Sequence, residues 1–283
     1  MKKIYTKKPR EKAPVRSILS RYYGGKARLS KKIVELLNFD HSKERYIEPF
    51  TGGGSTFFAL QPRKGGGYVL NDRDERIVNL YRQCQTKPKA FIKLCNERSI
   101  LSRSLFNESF EILSAPGPKN TMLHAWAIWY NISNAFSGQI GKGMSISKEK
   151  HMTKVPYLKS RLSKIPEQVQ LLSYAFVESK DAVKLIKSYA SNKKNVFYCD
   201  PPYLADAHQG HYSGYTDEEY ANLLEALSNI KGRFILSSYN CKQTKAAVKN
   251  HKWKQILVPQ VNMTRKIVEG KRSVDVESLV MNI

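Results

Sequence analysis

Acidic residues are the first scarcity of this chain: 24 Asp and Glu stand against 48 Lys and Arg in 283 residues, a formal net charge of +24. So large an excess points to a polyanionic partner. Nucleic acid fits better than a membrane surface, because no lipidation signal or amphipathic anchor stands out. A protein that is merely basic and soluble is the alternative. Cysteine is scarce too. Cys84, Cys95, Cys199 and Cys241 lack the Cys-x-x-Cys spacing of a zinc site and suggest no disulfide framework, so a reducing cytoplasm is expected. The six histidines show no ligand spacing, and no metal is expected. No apolar run reaches the roughly 18 residues of a membrane helix, and no apolar segment follows the basic N-terminus. Neither a membrane span nor a secretory signal is therefore expected. No internal repeat is visible.

What is present centres on Asn195 to Leu204, NVFYCDPPYL. Val196, Phe197 and Tyr198 suit a buried strand. Two prolines then forbid further ladder pairing, so the strand must end at Asp200. A carboxylate, two proline carbonyls and the ring of Tyr203 thus meet at the carboxyl end of a strand, the edge where open α/β sheets bind ligands. Asp200 and a proline carbonyl are both acceptors and can hold the two hydrogens of a planar amino group. Tyr203 can stack on the heterocycle that carries it. An ordinary strand followed by a Pro-Pro turn is the plain alternative.

Three upstream segments add to this edge. In YYGGK, Tyr22 and Tyr23 precede Gly24 and Gly25, which let the backbone turn sharply, and Lys26 supplies a cation. In ERYIEPFTGGGS a short strand runs through Glu48, Pro49 and Phe50 into Gly52, Gly53 and Gly54, and a helix begins near Ser55. A strand, a glycine loop and a helix start bring backbone N–H groups close to a nucleotide-like ligand. This loop is neither GxGxxG nor a Walker loop, so neither a dinucleotide nor a triphosphate follows. GGYVLND is a second strand whose Asp72 is spaced to accept from ribose hydroxyls. Glu48 is a further carboxylate that could equally cap the loop or pair with Lys26.

From about Cys84 to Ile165 aromatic helical segments replace strands, with Trp126 and Trp129 expected in a core. The loop that follows Phe136 carries seven Lys and Arg from Lys142 to Lys164 against one Glu. Polar side chains there can read base edges and basic ones bind phosphates, so a recognition hairpin is expected, with a solvated surface loop as the alternative. Beyond Pro166 the spacing predicts a strand at QVQLLSYAF ending near Glu178 and Ser179, then a helix into NVFYCDPPYL. After the loop ADAHQGHYSGYTDEEY come a helix, a strand at RFILSSYN, a helix and two closing strands. The alternation argues for a doubly wound α/β sheet interrupted by an inserted module.

In this order YYGGK, IEPFTGGGS, VLND and YCDPPY, with a helical and hairpin insert before the last, resemble the Dam-type, D12-class DNA adenine-N6 methyltransferases of bacteria and phages. The likeness spans most of residues 20 to 280. It implies a Rossmann-like S-adenosylmethionine-dependent methyltransferase sheet with an inserted target-recognition domain. Residues 1–83 and 166–283 would form the catalytic domain, with a basic arm at 1–16, and residues 84–165 the recognition domain. It implies S-adenosylmethionine as cofactor, no metal, and double-stranded DNA as partner; a companion restriction endonuclease is compatible with it. Tyr22, Lys26, Asp72 and Asp200 fall on cofactor-contact positions. Tyr23, Gly24, Gly25, Glu48, Pro49, Phe50, Gly52, Gly53 and Gly54 flank them, and Glu178 and Ser179 lie beside the cofactor adenine. The catalytic set is Asp200, Pro201, Pro202 and Tyr203.

The insert departs most from the family pattern, so its reading residues are chosen on chemistry: Asn134, Ser137 and Gln139 for bases, Lys142, Lys148 and Lys150 for phosphates. A cytosine-N4 methyltransferase usually has serine in place of Asp200. An RNA or protein-amide enzyme is a second rival. A DNA-binding protein without catalysis would be expected to have lost Lys26, Asp72 or Asp200, and all three are present.

Overall fold

The structure, a computed structural model, describes residues 14–117, 119–146, 151–202, 215–261 and 274–282. Helix α1 (Ser30–Leu37) leads into β1 (Arg45–Glu48), α2 (Ser55–Ala59), β2 (Gly67–Asn71) and α3 (Glu75–Thr86). Asp74 caps α3 by accepting from the Arg76 N–H, which satisfies one donor that a helix start leaves unpaired. The insert then supplies α4 (Pro88–Arg98), α5 (Arg103–Ser114), α6 (Met122–Asn134) and α7 (His151–Leu162). The α/β pattern resumes with α8 (Ile165–Leu172), β3 (Phe176–Glu178), α9 (Ala182–Tyr189) and β4 (Asn195–Cys199). It closes with α10 (Asp217–Ser228), β5 (Arg233–Tyr239), α11 (Lys242–His251), β6 (Lys254–Val261) and β7 (Val274–Met281).

The seven strands form one sheet in the order β3-β2-β1-β4-β5-β7-β6. β1 pairs in parallel with β2 and β4, and β4 with β5, whereas β7 runs antiparallel between β5 and β6. This is the expected Rossmann-like α/β sheet. Side-chain alternation divides the strands between two cores. Tyr46, Leu70, Val196, Tyr198 and Ile235 face one side, where they join α1, α2, α3 and the insert. Ile47, Val69, Phe197, Phe234 and Leu236 face the other, under α9, α10 and α11. A sheet covered on both faces needs near-continuous apolar strands, and all five residues of β4 are buried.

Two segments differ from expectation. QVQLL is helical, and only Phe176–Glu178 pairs with β2. Ile165, Val169 and Leu172 recur at helical spacing on a buried face, and Pro166 occupies the first turn, where its missing N–H does no harm. The basic loop after Phe136 is a hairpin only at its start, where Ala135 bridges Met144 in antiparallel fashion. Its second half is α7, even with Pro156 inside.

The insert packs directly against the sheet layer. Trp126 and Trp129 are fully buried, in the same apolar cluster as Tyr46 and Phe57. The Trp126 indole stacks on Tyr130 at 5.2 Å and donates its N–H to Ser99 Oγ at 3.1 Å. Trp126→Ala should therefore destabilise the protein by about 3–5 kcal/mol, the range for removing a buried aromatic ring. Hydrogen exchange under mild denaturant should show α6 and β4 losing protection together. Opening of α6 with β4 still protected would make the insert a separate folding unit.

Candidate active site at the carboxyl edge of the sheet

Between β1 and β4 the connections leave in opposite directions, toward β2 and β3 on one side and β5 on the other. Such a switch point opens a crevice beyond the strand ends. A cavity of about 630 Å³ lies there, lined by the segments that follow β1, β2, β3 and β4 and by residues 22–26.

The glycine loop forms one wall. Gly52 and Gly54 have positive φ, 46° and 67°, which glycine adopts without penalty. A Cβ on Gly52 would lie 2.8 Å from a ring carbon of Tyr22, and one on Gly53 would lie 2.8 Å from Tyr22 Cβ. Tyr22 thus packs on a surface that only glycine leaves open. The loop is pinned from behind: Tyr81 donates to the Gly52 carbonyl at 2.7 Å, and the Ser17 hydroxyl donates to the Gly53 carbonyl.

Asp72 ties that loop to the end of β2. Its carboxylate accepts from the Gly52 N–H at 2.6 Å and from the Asp74 N–H at 2.8 Å. Burial pushes its pKa up to about 6, against the pull of those N–H donors. Asn71 beside it bridges two strand ends. Its amide donates to the carbonyls of Pro49, at 2.9 Å, and Lys180, at 3.0 Å, and accepts from the Lys180 N–H at 2.9 Å.

Two further carboxylates are held differently. Glu48 is 2% exposed and takes a hydrogen bond from Tyr46 Oη at 3.0 Å. Burial raises its pKa well above the usual carboxylate range, and nearby Asp200 adds to the effect. Asp200 instead pairs with Lys26, whose Nζ lies 2.8 Å from its Oδ1 and 3.6 Å from Glu277 Oε1 on β7. Burial works against the Lys26 ammonium, but the two carboxylates outweigh it and raise the lysine pKa. Lys26 therefore pairs with Asp200 and Glu277 rather than with Glu48.

Most residues singled out from sequence line this one cavity. They are Tyr22, Tyr23, Gly24, Gly25, Lys26, Glu48, Pro49, Phe50, Gly52, Gly53, Gly54 and Asp72, together with Asp200, Pro201 and Pro202. Glu178 and Ser179 are not among its lining residues; Glu178 pairs with Lys180 at 3.0 Å, and Lys180 to Lys184 form that wall. Strand β3 ends at Glu178, so the chain reaches the crevice only a few residues later. Asn134 is also displaced from its expected place. It is 1% exposed and donates its amide to the Tyr130 carbonyl, four residues back along α6, so it faces the interior. Ser137 and Gln139 are half-buried and Lys142 is exposed. Tyr203, Lys148 and Lys150 lie outside the described residues, as do His208, His211 and Tyr212. Sequence reasoning missed Glu277, which a strand pattern presents as one more alternating polar residue, and the clamp made by Asn71.

The family model for D12 class N6 adenine-specific DNA methyltransferases matches residues 22–265. A type II methyltransferase of Lactococcus lactis subsp. cremoris is 25% identical over 213 residues, 71% of this chain and 71% of that protein. A DNA adenine methylase of Haemophilus influenzae is 23% identical over 252 residues, 84% of this chain and 85% of its own length. Among solved structures, a precorrin-6y C5,15-methyltransferase from Geobacter metallireducens aligns with a TM-score of 0.37 and 8% identity, covering 89% of this chain and 85% of that one. With a family match that runs from Tyr22 past β6, the chain belongs to the D12 class of N6 adenine-specific DNA methyltransferases.

Proposed function

We propose that the cavity holds S-adenosylmethionine and that methyl transfer takes place at its Asp200–Pro201 rim, on an adenine rotated out of the duplex. The observation that carries this reading is that Asp200 and Pro201 line the same cavity as the glycine loop and Asp72. The residues fit the cofactor. The volume, about 630 Å³, lies within the range for small-molecule sites. The Asp72 carboxylate can accept from ribose hydroxyls, and the bare faces of Gly52 and Gly53 allow close approach of the amino-acid portion. When bound, S-adenosylmethionine supplies an electrophilic methyl on a sulfonium.

An adenine N6 lone pair is delocalised into its ring and is a poor nucleophile. Asp200 and the Pro201 carbonyl, by accepting both N–H bonds, raise electron density at nitrogen and offset the positive charge that develops during attack. The N6 proton lost on product formation passes to the Asp200 carboxylate, the only one of the two acceptors basic enough to take it, and from there to solvent. Lys26 holds the Asp200 carboxylate in position; a carboxylate has about four lone pairs, so this pairing does not exhaust its acceptor capacity. Most of the acceleration should come from positioning the two substrates for in-line transfer. Tyr203 is the ring proposed to stack on the flipped base, an extrusion that costs roughly a few kcal/mol.

Residues 84–165 form the target-recognition region in this reading, with Ser137 and Gln139 as base readers and Lys142 on phosphates. Phe136, 63% exposed beside them, offers a ring on which a base can stack. The enzyme acts in the cytoplasm. The Lactococcus relative is a type II methyltransferase, which supports a role beside a restriction endonuclease.

Asp200→Ala should lower the single-turnover methylation rate at least 100-fold, as loss of a preorganised electrostatic partner does. Duplex binding should stay within about threefold. A tritiated-methyl transfer assay beside filter binding measures both, and a rate within tenfold of the parent would remove Asp200 from the chemistry. A further expectation concerns pH. Ribose hydroxyls donate best to an ionised Asp72, so cofactor affinity should be full at pH 7 and fall as pH drops through about 6. Asp72→Asn should abolish that dependence and weaken binding at pH 7 by about 1.5–3 kcal/mol. Titration calorimetry from pH 5 to 8 would decide it; identical pH profiles for parent and variant would exclude Asp72.

A further inference from the structure

Three cations converge on one exposed tyrosine at the seam between the insert and the catalytic segment. Tyr157 on α7 is 36% exposed. Arg21 Cζ, Lys154 Nζ and Arg161 Cζ lie 6.0, 5.6 and 6.0 Å from its ring centroid. Arg161 is 8% exposed and fastens α7 to the N-terminal segment, donating to Ser20 Oγ at 2.8 Å and to the Ile18 carbonyl at 2.7 Å. Arg21 donates to the Ala135 carbonyl at 3.3 Å. Among the described residues two donors of the cluster nevertheless have no hydrogen-bond partner although both are shielded from solvent: Lys154 Nζ and Arg161 Nε. Among the described residues the charges that bear on Lys154 are two more cations, Arg21 and Arg161, and with burial as the largest cause they lower its pKa to about 8.

Such an arrangement is costly by itself. Like charges repel, and a buried donor without an acceptor carries its full desolvation penalty. An anion with several acceptor oxygens would relieve both. We propose that Arg21, Lys154 and Arg161 form a binding site for one backbone phosphate of the DNA duplex, seated over Tyr157. The position favours a duplex phosphate over a free anion. Arg21 directly precedes Tyr22, which lines the active cavity, and its carbonyl lies against Gly138, where an added Cβ would stand 1.7 Å away. The site therefore lies between the cavity and the turn that carries Ser137 and Gln139. A phosphate held there fixes the duplex relative to both at once, which is what phosphate contacts do for register.

This inference rests on the reading that duplex DNA is the substrate. The test pairs Lys154→Met with duplexes in which single phosphates are replaced by neutral methylphosphonates along the target site. With the parent protein one substitution near the methylated adenine should weaken binding about tenfold. With Lys154→Met the same substitution should change binding less than twofold, and the slope of log affinity against log salt should be shallower by about one. The sequence context of methylation should not change. Because Lys154 Nζ has no hydrogen-bond partner among the described residues and methionine keeps an unbranched chain over the Tyr157 ring, the variant should melt no lower than the parent. Equal sensitivity of both proteins at every phosphate would overturn the site, and so would a variant that fails to fold. If the parent left no N6-methyladenine in DNA, the functional reading itself would fall, a result distinct from methylation without any coupled phosphate.

Discussion

The parallel pairing of β1 with β4 is the constraint on which the rest of the site depends. Ile47 stands opposite Phe197 in that register, so the two strands end together, and the chain after each must turn into the same crevice. From β1 comes Glu48 and the glycine loop; from β4 comes Asp200 and two prolines. These segments are separated by the whole insert in sequence, and only the ladder brings them to one cavity. Burial of both strands in two cores keeps the register from slipping, since a shift of one residue would exchange every side chain between the faces.

Of the carboxylates that line the cavity, Glu48, Asp72 and Asp200 are each accommodated by a different means. Burial favours the protonated form of Glu48, against the pull of the hydrogen bond donated by the Tyr46 hydroxyl. Asp72 takes two backbone N–H donors. Asp200 shares the Lys26 ammonium with Glu277. The net positive charge of the whole chain draws a polyanion to its surface.

The insert and the sheet do not behave as separate pieces. Trp126 and Trp129 share a core with Tyr46, and Arg161 carries α7 onto residues 18–20. The same N-terminal segment continues through Arg21, against Gly138, to Tyr22 on the glycine loop. Packed residues thus run from the turn around Ser137 to the cavity wall.

Much of the site is local and so was legible in the sequence. Prolines after Asp200 end a strand whatever surrounds it, glycines at 52 to 54 mark a tight backbone, and the spacing of Asp72 from them follows from one β-loop-α-β unit. The basic excess pointed to a polyanionic partner, with a merely basic and soluble protein as the alternative. What sequence could not determine depended on groups meeting across long separations. Helix and strand compete closely in QVQLL, and burial of Ile165, Val169 and Leu172 on one face decided for the helix. Asn134 has the chemistry of a base reader, but its place on α6 turns it inward to Tyr130. Lys26 was a cation in need of a partner; that its partners are Asp200 and Glu277, rather than Glu48, was decided by the antiparallel β7 lying beside β5. Sequence determines which groups are available and what each can do, whereas the choice among partners belongs to the tertiary structure, because electrostatic and hydrogen-bond energies depend on distances that no spacing along the chain specifies.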